Sequence, residues 1–112
     1  MGSSVSQPDC LFCRLYSEGE HVRTEDGFVA IKDINPKAPV HLLVIPERHA
    51  ETFREVGLFS AEESKRMLEF VAETAREAGL EDYQVIVNVG PGAGQTVFHL
   101  HWHVLGGGRP FE

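Results

Sequence analysis

One segment, His99-Leu100-His101-Trp102-His103-Val104-Leu105, constrains this 112-residue chain more than any other. On an extended strand alternate residues share a face, so His99, His101 and His103 stand on one side while Leu100, Trp102 and Val104 stand on the other. The apolar side needs a core to pack against, and the imidazole side needs a polar ligand or solvent. Such a strand belongs at the boundary between a core and a site. Same-face neighbours are about 6.5–7 Å apart along a strand, which lets adjacent imidazoles act on one small ligand. Three readings fit: a merely solvated face, a metal site built on neutral imidazoles, or covalent catalysis at phosphorus with one imidazole as nucleophile.

The preceding segment Gly90-Pro91-Gly92-Ala93-Gly94-Gln95-Thr96 favours the last of these. Glycines let a backbone turn sharply and aim N–H groups at anionic oxygens, and Gln95 and Thr96 add side-chain donors beside the histidines. The loop lacks the Gly-Lys-Ser/Thr ending of a Walker A motif and leads into a strand rather than a helix. A phosphate-bearing ligand facing three imidazoles is the resulting expectation.

The rest of the chain supplies the scaffold. Leu11 to Tyr16 offers a short amphipathic helical turn that ends in Glu18-Gly19-Glu20. Strands are expected over His21 to Thr24 and Phe28 to Lys32, joined at Glu25-Asp26-Gly27. After the Asn35-Pro36-Lys37-Ala38-Pro39 loop, His41 to Ile45 reads as a buried strand stopped by Pro46. Ser60 with Glu63 has capping-box spacing, and Met67, Leu68, Val71, Ala75 and Ala78 form the apolar stripe of one long helix that Gly79 ends. Tyr83 to Val89 alternates as a strand, and the last strand is expected over Thr96 to Leu105. Short turns between strands and a single long helix favour an α+β antiparallel sheet over βαβ repeats.

Seventeen acidic against ten basic residues give a formal charge of −7. That charge repels polyanions, so sequence-independent nucleic-acid binding is not expected. No apolar run approaches the roughly 20 residues of a membrane span, and no basic-then-apolar segment resembles an export signal. The expectation is a cytoplasmic protein that binds neither nucleic acid nor membrane, with residues 1–9 as a flexible N-terminal end and 10–112 as one domain. Met1-Gly2 with Ser6 formally fits a myristoylation pattern, a match too short to outweigh a loose end.

The triad fits the His-φ-His-φ-His-φ-φ signature of the histidine-triad (HIT) proteins, which the chain resembles over residues 10 to 109. Asp33-Ile34-Asn35-Pro36-Lys37-Ala38-Pro39-Val40-His41-Leu42-Leu43-Val44-Ile45-Pro46 looks like that family's loop and strand carrying a further histidine. Asn88 with Gly94-Gln95-Thr96-Val97-Phe98 resembles the lead into the triad, and Leu105-Gly106-Gly107-Gly108-Arg109 looks like the Hint branch of nucleoside phosphoramidases. The resemblance implies a HIT-like fold: a five-stranded antiparallel sheet with one long and one short N-terminal helix, paired with a second copy into a continuous ten-stranded sheet. It also implies a hydrolase that cleaves the P–N bond of purine nucleoside 5′-phosphoramidates of AMP or GMP type. In it His101 would be the nucleophile forming a nucleotidyl-imidazole, His103 would contact phosphate oxygens, and His41 would orient the triad. Thr96 would contact the leaving group; Asn88, Gly94 and Gln95 would bind phosphate and ribose-side oxygens; Asp33 would take the ribose hydroxyls with Ile34 beside the base. Dinucleoside polyphosphate or nucleotidyl sulfate hydrolysis on the same fold, or nucleotide binding with incidental turnover, are the alternatives. No acidic cluster suited to magnesium adjoins the triad, so catalysis is expected to need no cofactor.

Cys10-x-x-Cys13 suggests a metal or redox site rather than a structural disulfide. Structural zinc takes four nitrogen or sulfur ligands. Related nucleotidyltransferases use two cysteines and two histidines, which here would be Cys10, Cys13, His49 and His99. A His99 that ligates zinc could not also shuttle protons, and its role would be to fix the strand. The alternative is two thiols packed as small apolar groups.

Overall fold

A computed structural model of the chain describes residues 10–107. The expected flexible end, the myristoylation pattern and the Gly108-Arg109 part of the resemblance lie outside the described residues. The elements run α1 (Leu11–Glu18), β1 (Arg23–Glu25), β2 (Phe28–Lys32), β3 (Val40–Pro46), a 3-10 segment (Phe53–Leu58), α2 (Ala61–Glu77), β4 (Tyr83–Ile86), a 3-10 turn (Pro91–Ala93) and β5 (Trp102–Gly106). The strands form one five-stranded sheet in the order β1-β2-β3-β5-β4, and every neighbouring pair is antiparallel. This is the α+β antiparallel architecture that the turn spacing and the resemblance predict.

The sheet has two unlike faces. On one, Leu42, Val44, Leu100, Trp102 and Val104 pack with Met67, Phe70, Val71 and Ala75 of α2 in the main core. On the other, Val29, Ile31, Leu43 and Ile45 form a smaller cluster with Phe12 of α1. Residues of β3 alternate between the two clusters, which is the pleat expressed in sequence. α2 starts at the predicted box: Glu63 N donates to Ser60 Oγ at 3.0 Å and Ser60 N donates to Glu63 Oε1 at 2.9 Å.

Four expectations need correction. Leu68 (56% exposed) lies on the outer side of α2 and Ala78 is its exposed C-cap beyond Glu77, while Phe70 and Thr74 join the buried stripe. The first strand starts two residues late, because His21 turns inward and its Nε2 donates to Leu15 O at 2.9 Å behind α1. β4 ends at Ile86 rather than Val89, where Asn88 Nδ2 donates to Ala93 O and begins the glycine loop. β5 starts at Trp102 rather than Thr96. Trp102 pairs with Val44, so the next ladder position would set Leu100 opposite Pro46, which has no N–H to give. Leu100 N donates to Ala50 O instead, and Pro46 O accepts from His99 Nε2 at 2.8 Å.

Candidate active site and Cys-His cluster

The break ahead of β5 divides the three histidines. His101 and His103 line a cavity of about 590 Å³, together with Asp33, Ile34, His41, Asn88, Gly94 and Thr96. Thus eight of the predicted nucleotide-site residues meet in one place. His99 is completely buried, and its imidazole turns toward the two cysteines rather than the cavity. Lys32 and Lys37 also line the cavity. An apolar wall comes from Leu11, Phe12 and Leu15 of α1 with Ile31 and Leu43 of the sheet. The spacing of Leu11 and Leu15 on an amphipathic helix was the one available signal for that wall.

Hydrogen bonds fix the proton positions of the imidazoles. His101 Nδ1 lies 2.7 Å from His99 O, and a carbonyl only accepts, so the proton is on Nδ1 and Nε2 keeps its lone pair. His41 Nδ1 accepts from Lys37 N at 3.1 Å, so its proton is on Nε2, which lies 2.9 Å from His103 Nδ1 and 3.3 Å from Asp33 Oδ2. His103 therefore accepts at Nδ1 and carries its own proton on Nε2. A bare lone pair on His101 stands beside an N–H donor on His103, their rings 5.0 Å apart. Burial pushes His101 below the ordinary histidine range, with partial opposition from its bond to His99 O and from Asp33. Burial, with His101 and His41 nearby, pushes His103 down to about 4. Both are neutral at pH 7.

The glycine loop behaves differently from expectation. Ala93 N and Gln95 N donate to Gly90 O and Gly94 N donates to Pro91 O, so these N–H groups are spent inside the loop. Positive φ at Gly90 (88°) and Gly94 (93°) permits that tight winding. Gln95 is buried and lies outside the cavity lining. Its Oε1 accepts from Gly90 N at 2.8 Å, and its Nε2 donates to Glu51 O at 2.7 Å and Val97 O at 3.0 Å. Gln95 therefore braces the loop, and it is Gly94 and the exposed Thr96 that reach the cavity.

A second constellation lies behind His101. Cys10, Cys13, His49 and His99 bring their ligand atoms within 4.8 Å of one another. Cys10 caps α1, its Sγ accepting from Cys13 N at 3.2 Å, so the helix start delivers both sulfurs to one point. His99 Nδ1 is 3.2 Å from Cys10 Sγ and 3.4 Å from Cys13 Sγ, while His49 Nδ1 is 3.4 Å from Cys13 Sγ. Because His99 Nε2 donates to Pro46 O, its Nδ1 lone pair is directed at the sulfurs, and burial holds the ring down to about 4. A carbonyl on the far nitrogen is the usual support for a metal-ligating histidine. Asp33, His41 and His103 also cluster within ligand distance. There the Lys37 amide holds His41 in the Nε2–H form, so that trio is built as a proton chain.

The HIT domain family matches residues 16–109. The chain belongs to the HIT domain family. It is 39% identical over 102 residues to Protein HitA of Neisseria gonorrhoeae, covering 88% of this chain and 95% of that protein. A HIT-like protein of Chlamydia pneumoniae is 45% identical over 96 residues, covering 81% and 83% of the two chains. Among solved structures, a histidine triad protein from Clostridium difficile matches with TM-score 0.83 and 30% identity over 96% of this chain and 97% of that one. A HIT family hydrolase from Legionella pneumophila gives 0.79 and 33%, covering 90% and 95%. A zinc-bound histidine triad family protein from Mycobacterium smegmatis gives 0.71 and 30%, covering 87% and 73%. HIT family members are generally nucleotide hydrolases or transferases. The triad of this HIT protein is thus two cavity histidines and one that supports them from behind.

Proposed function

We propose that this HIT protein is a nucleoside phosphoramidase, hydrolysing the P–N bond of purine nucleoside 5′-phosphoramidates through a nucleotidyl-His101 intermediate. The observation that carries the reading is the proton placement: an Nε2 lone pair on His101 faces the cavity beside an Nε2–H on His103. A neutral imidazole is a competent nucleophile at pH 7. His101 Nε2 attacks phosphorus, the new P–N bond to imidazole forms, and the bond to the amine breaks. His103 stabilises the phosphoryl oxygens through its proton, with His41 Nε2–H on its other nitrogen and Asp33 beside that same His41 N–H. Thr96 passes a proton to the departing amine and regains one from solvent. Water then attacks phosphorus, the P–His101 bond breaks, and the nucleotide leaves. Asp33 takes ribose hydroxyls, and the wall of Phe12, Leu15 and Ile31 with Ile34 covers the base.

The Cys10, Cys13, His49 and His99 set fits structural zinc, as the zinc-bound Mycobacterium relative supports. Cys10, Cys13, His49 and His99 would hold such an ion, which would supply a structural cross-link between α1 and the segments carrying His49 and His99. His99 would then be a ligand, and its catalytic part would reduce to fixing the chain ahead of His101.

The test is AMP release from adenosine 5′-phosphoramidate, with EDTA present, by the wild type and His101→Ala. Loss of a covalent nucleophile predicts a fall of at least about a thousandfold in kcat/KM. Equal rates in the two proteins, or AMP binding with no turnover in either, would overturn the assignment. Lys32 and Lys37 on the cavity favour one second reading, a dinucleoside polyphosphate hydrolase, since they could hold extra phosphates. A higher kcat/KM for diadenosine polyphosphates than for the phosphoramidate would select it.

A further inference from the structure

Two physical links join the cysteine cluster to the nucleophile. The first is a main-chain link: the His99 whose Nδ1 faces Cys10 Sγ at 3.2 Å and Cys13 Sγ at 3.4 Å is also the residue whose carbonyl accepts His101 Nδ1–H at 2.7 Å. The second runs through α1. Phe12 sits between the two cysteines in sequence, and its ring meets His101 edge-on at 4.8 Å and lies 6.4 Å from His99. Whatever holds the two sulfurs against His99 therefore also sets the bond that fixes the tautomer of His101 and the ring that wedges it.

We propose that Cys10 and Cys13 form a redox-sensitive clasp on the nucleophile: with both sulfurs on His99 Nδ1 the site is set, and oxidation of the pair to a disulfide lowers turnover. The inference rests on His101 being the nucleophile. The pair is built for the chemistry. Cys-x-x-Cys at a helix start, with Cys10 Sγ accepting from Cys13 N at 3.2 Å, brings the two sulfurs to one point. Cys10 is partly exposed, which gives an oxidant access, and Cys13 is the buried resolving partner.

Hydrogen peroxide is the oxidant. Its O–O bond is broken by the Cys10 sulfur to give a sulfenic acid and one water, and Cys13 displaces the second oxygen as water. The S–S bond forms, each sulfur gives up one electron, and the two thiol protons end in the waters. Sulfurs joined to each other no longer supply His99 Nδ1 with a donor or hold a metal beside it. A completely buried nitrogen is then left without its company, so the His99 segment rearranges and the His101 bond goes with it.

The experiment treats the purified full chain with hydrogen peroxide, then with dithiothreitol, and reads five quantities on each form. These are intact mass, zinc released to a chromogenic chelator, AMP affinity, turnover of adenosine 5′-phosphoramidate, and the ring ¹⁵N signals of His101. The chain has only two cysteines, so loss of two hydrogens per chain reports this disulfide alone. The oxidised form should bind AMP within about twofold, turn over about ten- to a hundredfold more slowly, shift the His101 ring signals and recover on reduction. The Cys10→Ala/Cys13→Ala variant should show no response of its rate to peroxide. Unchanged His101 signals and rate in a fully oxidised chain would overturn the clasp, and so would failure of the pair to oxidise or global unfolding on oxidation. If no form cleaves the substrate, the phosphoramidase reading fails, while the His101 signals still decide the clasp.

Discussion

At the scale of single residues, the proton chain makes a claim about pH. His101 and His103 lie below the ordinary value of 6.5 because burial disfavours their charged forms. Under the proposed mechanism a neutral His101 therefore persists as the medium is acidified through 6.5, and kcat/KM for the phosphoramidate should hold level there, with its acid limb at lower pH. A profile that halves at 6.5 would mean His101 titrates as if exposed. Stability runs the same way. His99 and His103 both sit at about 4 in the native chain and near 6.5 unfolded, so between these values the unfolded chain binds more protons and gains ground as pH falls. That stability is complete above 6.5 and lost toward pH 4, on the order of 3 kcal/mol for the fully buried His99 in the metal-free chain. Thermal melts across this window should show a falling Tm. The face shared by His101 and His103 was legible from a period of two. What Gln95 does was not, because spacing places a donor near a loop but does not say whether the loop itself consumes it.

At the scale of elements, the capping box of α2 and the two-sided strand β3 were readable because their signals are local. The boundaries that shifted were set by distant partners. β5 begins at Trp102 because Pro46, more than fifty residues earlier, has no N–H opposite Leu100, and the strand pattern around the triad carries no trace of that. The helix stripe turned toward Phe70 and Thr74 and away from Leu68, and it stopped before Ala78, which caps the helix end. Two substitutions separate these contributions. Ser60→Ala removes an N-cap acceptor and should cost about 1 kcal/mol. Phe70→Ala opens the main core beneath Phe28 and Arg23 and should cost about 3–5 kcal/mol. Urea melts with an unchanged m-value would give both numbers, and a Phe70→Ala cost near that of Ser60→Ala would show that α2 is held by its ends rather than its packed face.

At the scale of the whole molecule, the sheet has an edge that needs explaining. β4 is outermost, and Tyr83, Val85 and Ile86 on it are all exposed. An uncharged edge strand with open N–H and C=O groups is a template for pairing with another chain. We propose that a second copy covers it, β4 against β4 across a two-fold axis, which turns two five-stranded sheets into one of ten. A two-fold contact is self-complementary, so one charge placed in it meets its own copy. Val85→Asp should therefore give a monomer in sedimentation equilibrium at concentrations where the wild type is a dimer. Ile86 lines the cavity that holds His101 and His103 as well as the edge, so this pairing would also fix one wall of that cavity. In the Val85→Asp monomer the triad keeps its own hydrogen bonds while that wall loosens, so KM for the phosphoramidate should rise more than kcat falls. A wild type that sediments as a monomer would instead leave the edge open and require another cover for it.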